Sequence, residues 1–228
     1  MDNNYWIDFW KDYATNVRSE DEQLQVLRTL NKKPISEKLW NYTLNEIDNV
    51  FKVRKGEKIL DLCSGNGLLA KNLVKKGASV VAVDISEELL KNLSNIKNIE
   101  TINLDIRLLD FKESSFDNII FYAGIQYLNN KEALILMKNI FKWLKPNGSV
   151  FIGDIPDHKK RWKFFNTEER LQVYFDNILA DKAIVGNWYE REWFHNLTKY
   201  IGFSNGEFLQ QNKKLIYSSY RFDYLYKK

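Results

Sequence analysis

The chain predicts an α/β fold: a seven-stranded, mostly parallel sheet closed by an antiparallel C-terminal edge, with helices on both faces and a helical N-terminal extension. Three observations predict it. Between residues 58 and 155 short apolar runs alternate with helical patterns, as in a parallel sheet buried on both faces. The first of those runs ends in Asp61-Leu62-Cys63-Ser64-Gly65-Asn66-Gly67, an acid followed by a glycine turn that leads straight into a helix. Beyond residue 205, two strand-like segments lie too close together for a helical crossover and must be antiparallel.

The elements follow in order. Trp6, Phe9, Trp10 and Tyr13 are spaced i, i+3, i+4, i+7, and Trp40, Leu44, Ile47 and Phe51 repeat at near-helical spacing within 36–53; both read as amphipathic helices. Strands are expected at 59–62, 79–83, 100–104, 118–122 and 149–155, and helices at 68–75, 87–95 and 131–144. Ser86 is placed to cap the helix at 87, with Glu87 and Glu88 in a first turn that favours acid. A helix over 189–200 stops at Gly202, and strands at 207–210 and 219–226 complete the sheet. Three prolines and the absence of a Ser- or Gly-rich linker argue for one domain, with residues 1–56 as a helical lid and 57–228 as the core.

A net charge of +4 spread along the chain is too diffuse to indicate nucleic acid. A single cysteine rules out an intrachain disulfide and suits a reducing compartment. The acidic N-terminus is unlike a secretory signal, and no apolar run approaches the roughly 20 residues that span a bilayer. These features predict a cytoplasmic monomer or homodimer, with no membrane or nucleic-acid partner. No His, Cys and carboxylate spacing suggests a metal site.

The glycine turn admits three readings. Gly65-Asn66-Gly67-Leu68-Leu69-Ala70 fits the dinucleotide fingerprint G-x-G-x-x-G/A, with Asp84 where an acid would take ribose hydroxyls, so an NAD(P)-dependent oxidoreductase is one. A tight turn that binds nothing is the second. The third follows from three acids, Asp61, Asp84 and Asp105, at the C-terminal ends of successive strands, the edge where open α/β sheets bind ligands. Asp84 can accept from both ribose hydroxyls and Asp105 from an adenine amine. A pyrophosphate favours helix amides without a nearby acid, whereas Asp61 suits a cation. Tyr127 and Lys131 match Y-x-x-x-K of short-chain dehydrogenases, but one strand too early.

These residues resemble the class I S-adenosylmethionine-dependent methyltransferases, whose sheet is Rossmann-like. Asp61 to Gly67 looks like their D-x-x-x-G-x-G motif. Val83-Asp84-Ile85-Ser86 resembles the ribose-binding acid, Leu104-Asp105-Ile106 the adenine contact, Phe116 to Ile120 the fourth-strand motif, and Leu144 to Ser149 the turn before strand five. The match covers about residues 57–155. It implies that S-adenosylmethionine is bound, and S-adenosylhomocysteine released, by Asp61, Cys63, Gly65, Gly67, Asp84, Ile85, Asp105, Ile106 and Tyr122. The motifs of base-specific DNA methyltransferases are missing: Tyr122-Ala123-Gly124-Ile125 carries no Pro-Pro, and Cys63 does not follow a proline. One cysteine also cannot hold a radical-type iron–sulfur cluster.

Methyl transfer from a sulfonium is a direct displacement, so the core motifs do not name the acceptor. The N-terminal aromatic stripe could cover it. The loop from Gly153 to Arg161 offers Asp154 and His158 as candidate bases and Lys159, Lys160 and Arg161 as anion contacts. Tyr13, Arg28, Gln126, Tyr127 and Arg161 are the candidate substrate contacts. Residues 25–29 and 153–157 also resemble methyltransferases of bacterial surface-glycan modification, including capsular phosphoramidate assembly. That resemblance implies transfer to O or N of a small anionic or sugar-linked molecule. A SAM-binding partner subunit without turnover is the non-enzymatic alternative.

Overall fold

The computed structural model describes residues 5–182 and 184–228. Its centre is a seven-stranded sheet of β1 (Lys58–Leu62), β2 (Ser79–Asp84), β3 (Ile99–Asn103), β4 (Phe116–Tyr122), β5 (Leu144–Pro156), β6 (Asn205–Leu209) and β7 (Arg221–Lys227). The spatial order is β3-β2-β1-β4-β5-β7-β6. The first five strands are parallel, and β7 runs antiparallel to both β5 and β6. The chain reverses direction across the sheet between β1 and β4, so a crevice opens at the C-terminal ends of those strands.

Alternation along the strands divides the apolar residues between two cores. Leu60, Leu62, Val81, Val83, Ile119 and Phe121 point to one face; Ile59, Val80, Ala82, Ile120 and Phe151 point to the other. Among the described residues, six helices of at least eight residues surround the sheet: α1 (Tyr5–Asn16), α2 (Glu37–Val50), α3 (Leu68–Lys75), α4 (Asn130–Trp143), α5 (Glu168–Leu179) and α6 (Arg191–Ile201). Through Trp40, Ile47, Leu69 and Leu73, α2 and α3 cover the second face. The first is covered by α4 and α6, through Leu136, Met137, Ile140 and Phe194. Local chemistry sets their ends. The Ser36 hydroxyl accepts from the Leu39 amide, and that of Ser86 from the Leu89 amide, capping a single α-helical turn, Glu87–Leu90, that gives way to a 3-10 turn at Lys91–Leu93 where one helix over 87–95 was expected. Asn129 and Glu132 form a reciprocal capping box, and α6 stops at Gly202 with φ of 98°.

Three further features depart from the sequence reading. Thr29–Leu30 pairs with Lys33–Pro34 across Asn31 and Lys32, both at positive φ, which makes a two-residue hairpin whose second corner is a lysine rather than the favoured glycine. Next, α5 forms although none of its residues is buried; it rests through Tyr174 on Trp162 and Phe165, so no buried stripe marks it in the sequence. Finally, the turn before strand five lies within β5. The pairing jumps from Phe116–Leu144 to Asn118–Ser149, and Asp117 holds the bulged segment by accepting from Lys145 at 2.8 Å.

Candidate functional site

One cavity occupies the crevice at the C-terminal edge, with about 1090 Å³ of open space including its mouth. That is enough for a nucleoside-sized ligand. It has an acidic floor, an aromatic wall and one buried arginine.

The floor comes from the ends of β1, β2 and β3. Asp61 is 2% exposed and its Oδ2 has no hydrogen-bond partner. Burial, and then the charge of Asp84, push its carboxyl up to about 8. Burial also raises the Asp84 carboxyl, against the Ser86 and Gly65 amides, which donate to Oδ1 at 2.9 Å and Oδ2 at 2.8 Å. Each oxygen keeps a lone pair for a ligand. Asp105 caps the turn after β3 and binds the Arg107 guanidinium, which also reaches Glu132 at 2.9 Å. Cys63 lines the cavity at φ of 56°, and burial holds its thiol well above the usual range, so it stays protonated.

The wall comes from the N-terminal segment. Trp6, Ile7 and Trp10 of α1 face the cavity, and the two indoles pack on Tyr127 with ring centroids 5.0 and 5.9 Å away. Residues 22–28 then cross the glycine turn. The Asn66 side-chain amide donates to the Glu22 carbonyl at 2.8 Å and to Gln25 Oε1 at 2.9 Å. A Cβ on Gly65 would stand 2.9 Å from Val26 Cγ1. In this structure the open side of Gly65 therefore receives the chain's own segment.

Arg28 closes the third side. Its guanidinium lies 4.6 Å from the Tyr122 ring centroid, 5.5 Å from that of Trp40 and 5.7 Å from that of Tyr217. Nη1 donates to the Tyr122 hydroxyl and Nη2 to Asp154 Oδ2, each at 3.3 Å. Burial alone would lower its pKa, but the Tyr122 and Asp154 oxygens outweigh it and keep the group charged.

The structure brings ten of the expected site residues to the cavity: Arg28, Asp61, Cys63, Gly65, Asp84, Ile85, Asp105, Ile106, Tyr122 and Tyr127. Six lie outside its lining. Gly67, at φ of 79°, starts α3, and a Cβ there would stand 2.1 Å from Leu93 Cδ2, so it serves packing. Tyr13 turns away to donate to the Leu24 carbonyl at 2.6 Å. Gln126 is buried outside the cavity lining; its Nε2 donates a hydrogen bond to the Ala123 carbonyl and its Oε1 accepts one from Arg221. Asp154 also sits outside the lining, 2% exposed, as the partner of Arg28. His158 and Arg161 are also absent from the lining. The end of β5 stays paired with β7 through Ile155–Phe222 and Pro156–Arg221, and buried Asp157 is held by Arg191 at 2.6 Å. The chain thus continues along the sheet instead of folding over the crevice. His158 lies beside Glu190, and Arg161 stacks on Trp162.

Sequence reasoning missed Trp40, Asn66 and Arg107 as cavity residues. Asn66, inside the glycine turn, was the only one with a local signal. Trp6 and Trp10 were visible as a stripe that could either pack on the core or cover the acceptor. Among the described residues no His, Cys, Asp and Glu cluster could hold a metal, and no helix is long and apolar enough to cross a membrane.

Comparisons with known proteins agree with this geometry. Residues 59–148 match a family model described as a methyltransferase domain. A ubiquinone/menaquinone biosynthesis C-methyltransferase from Cronobacter sakazakii is 33% identical over 110 residues, 44% of this chain and 43% of that protein. Its counterpart from Wigglesworthia glossinidia brevipalpis is 29% identical over 147 residues, 60% of this chain and 57% of that protein. The chain thus spans about half the length of the curated relatives it matches. Phosphoethanolamine N-methyltransferase 1 of Haemonchus contortus, solved with phosphoethanolamine and S-adenosylhomocysteine, superposes with a TM-score of 0.71 at 13% identity, covering 99% of this chain and 48% of that one. A SAM-dependent methyltransferase from Archaeoglobus fulgidus gives 0.60 at 13% identity, covering 83% and 94%. None of these relatives is named for surface-glycan modification. The chain has the fold of the SAM-dependent methyltransferases, and its matched segment, similar to a methyltransferase domain, supports an enzyme that uses S-adenosylmethionine.

Proposed function

We propose that the protein is a SAM-dependent methyltransferase whose acceptor is a small, uncharged, ring-containing molecule. The observation that carries the first half is Asp61: a buried carboxyl, with one oxygen unpartnered, lining a cavity beside a glycine turn. An unpaired buried acid is costly unless a ligand satisfies it. The ammonium of the methionine moiety has the right charge, and a dinucleotide pyrophosphate has the wrong one. In this reading Asp84 holds the ribose, Ile85 and Ile106 flank the adenine, and Arg28 takes the methionine carboxylate.

The cofactor supplies a methyl group on a sulfonium, which passes directly to the acceptor while sulfur leaves as a thioether. The protein aligns the two and keeps water out. Trp6 and Trp10 close the cavity, and their ring faces favour a sulfonium cation. Tyr127 holds its proton, because burial pushes its phenol up to about 12.

The second half rests on the aromatic end of the cavity. Trp6, Ile7, Trp10, Ala123, Tyr127 and Leu128 are apolar there, and the basic residues expected to hold an anion lie elsewhere. Relatives named for C-methylation in ubiquinone and menaquinone synthesis fit such an acceptor better than the anionic or sugar-linked molecule expected from the sequence.

Calorimetry with S-adenosylhomocysteine tests the first half: binding is expected, and none at millimolar ligand, or a micromolar response to NADH instead, would overturn it. Asp84→Ala is expected to weaken binding by about 1–3 kcal/mol. Release of S-adenosylhomocysteine with hydroquinones or phenols, set against phosphorylated amines and sugars, tests the second. Faster turnover on the phosphorylated panel would reject the ring acceptor.

A further inference from the structure

Behind the cavity wall lies a buried polar cluster that ligand contact alone does not explain. It joins β5, β7 and the 210–220 connection between β6 and β7 through Asp154, Asp223, Arg221 and Gln211. The pairing of β5 with β7 breaks between Ile152 and Ile155, and within that break Asp154 takes φ of 61°, a left-handed conformation that costs a residue with a Cβ. Bulges of this kind re-aim side chains and recur beside active sites. Here the bulge turns Asp154 toward Arg28, with Oδ2 3.3 Å from Nη2.

The other groups fix the bulge. Asp223 Oδ1 accepts from the Asp154 amide at 2.7 Å. Gln211 Nε2 bridges the carboxylates, 2.8 Å from Asp223 Oδ1 and 3.3 Å from Asp154 Oδ1. Arg221 donates to the Asp154 carbonyl at 2.7 Å and to Gln126 Oε1 at 3.0 Å. Asp154, Asp223 and Gln211 are each at most 9% exposed. Two carboxyls side by side in a buried site are unfavourable, and burial with the nearby Asp154 charge pushes Asp223 up to about 7. A sequence under no constraint here would place apolar residues at both positions. The strained backbone and the buried acid pair set Asp154 Oδ2 between two guanidiniums, 3.3 Å from Arg28 Nη2 and 3.9 Å from Arg221 Nη1, and of these two it is Arg28 that lines the cavity. The rings of Trp40 and Tyr217 hold Arg28 only in distance, whereas its rotation is set by two contacts, the neutral Tyr122 hydroxyl on Nη1 and the Asp154 carboxylate on Nη2, of which the second is charge-assisted.

We propose that Asp154 is a positioning residue, held on its bulge by Asp223 and Gln211, that aims Arg28 at the carboxylate of the cofactor's amino-acid moiety. It touches neither cofactor nor acceptor. The inference rests on the reading of Arg28 given above, and its test separates the two.

The test compares two ligands that share the adenosine part, S-adenosylhomocysteine and 5′-methylthioadenosine, which lacks the amino-acid carboxylate. Binding is measured by calorimetry on the full chain, wild type, Arg28→Ala and Asp154→Asn. The isosteric Asp154→Asn is expected to weaken S-adenosylhomocysteine about tenfold while leaving methylthioadenosine within twofold, the loss expected for one charge-assisted contact set out of line. Equal weakening of both ligands would mean that Asp154 only supports the fold, and the proposal would fall. Arg28→Ala weakening S-adenosylhomocysteine alone, with Asp154→Asn unchanged, would keep the arginine's role and reject the positioning. No selective loss in Arg28→Ala would remove the reading beneath both. If Asp154→Asn does not fold, as judged by its thermal transition, Gln211→Met, which removes a donor to Asp154 Oδ1, carries the same comparison. A selective loss of about threefold is expected, and none would reject the proposal.

Discussion

Asp61 changes meaning between sequence and structure. In the chain it is one acid of a motif; in the fold it is a carboxyl nearly cut off from water, pushed up to about 8 by burial and by Asp84. A cation binding beside it must find it ionised. Binding of S-adenosylhomocysteine is therefore expected to release a proton below pH 8, and affinity to rise between pH 6 and 8. Calorimetry in two buffers of different ionisation enthalpy measures that proton directly. In Asp61→Asn the release should vanish and affinity drop by roughly tenfold or more; an unchanged proton count would show that another group titrates. The residues that touch adenosine in the proposed reading were legible in the sequence because they sit at or within three residues of strand ends, Asp84 and Ile85 at the end of β2 and Ile106 after β3. Asp154 was legible as an acid at the right edge but not in its role. Its direction depends on a bulge against β7, a strand about 70 residues further on, and no local pattern records such a bulge.

At the scale of elements, the glycine turn and the N-terminal segment form one assembly. Gly67 is the stricter of the two glycines, since both its φ of 79° and the Leu93 side chain oppose a Cβ. Gly67→Ala is expected to cost roughly 1–3 kcal/mol of stability, read from urea denaturation. Gly65→Ala meets Val26 Cγ1 at 2.9 Å, against 2.1 Å to Leu93 Cδ2 at Gly67, besides its own φ of 56°, and should cost less. The reverse order would indicate that residues 22–28 pack more rigidly than α3. On α1 only Ala14 is buried, so the helix is held mainly by its rings on Tyr127 and one another. Its amides are expected to exchange with deuterium faster than those of α4, and to slow on binding S-adenosylhomocysteine. Helices with buried stripes were readable; α5, with none, was not, although it is as long as α1.

Across the whole molecule, strand direction followed from strand spacing and the reach of connections, whereas the order of the strands came from the structure. So did the path of the loop after β5, because whether it covers the crevice or follows the sheet is decided by its pairing with β7. The acids buried at these two places contribute to the pH response, together with Asp84, whose carboxyl burial also raises. Asp61 and Asp223 ionise in the unfolded chain near 4, but in the fold only near 8 and 7. The folded state holds more protons between those limits, so stability is fullest below about pH 4 for these two groups and is lost as pH rises through 7 and 8. Thermal melts of the ligand-free protein are expected to fall between pH 5.5 and 8.5, and less so in Asp61→Asn; a flat profile would show that neither acid is buried as described. One feature also bears on kinetics. The hydrogen bonds from Asn66 to residues 22–25 draw the chain across the turn that a cofactor would touch. Exchange of one cofactor molecule for the next is then timed by that crossing segment, not by diffusion. Three of the seven tryptophans, Trp6, Trp10 and Trp40, line the same space and make the event visible. Stopped-flow fluorescence should show an association rate that levels off as S-adenosylhomocysteine is raised, the plateau being the rate at which the segment lifts.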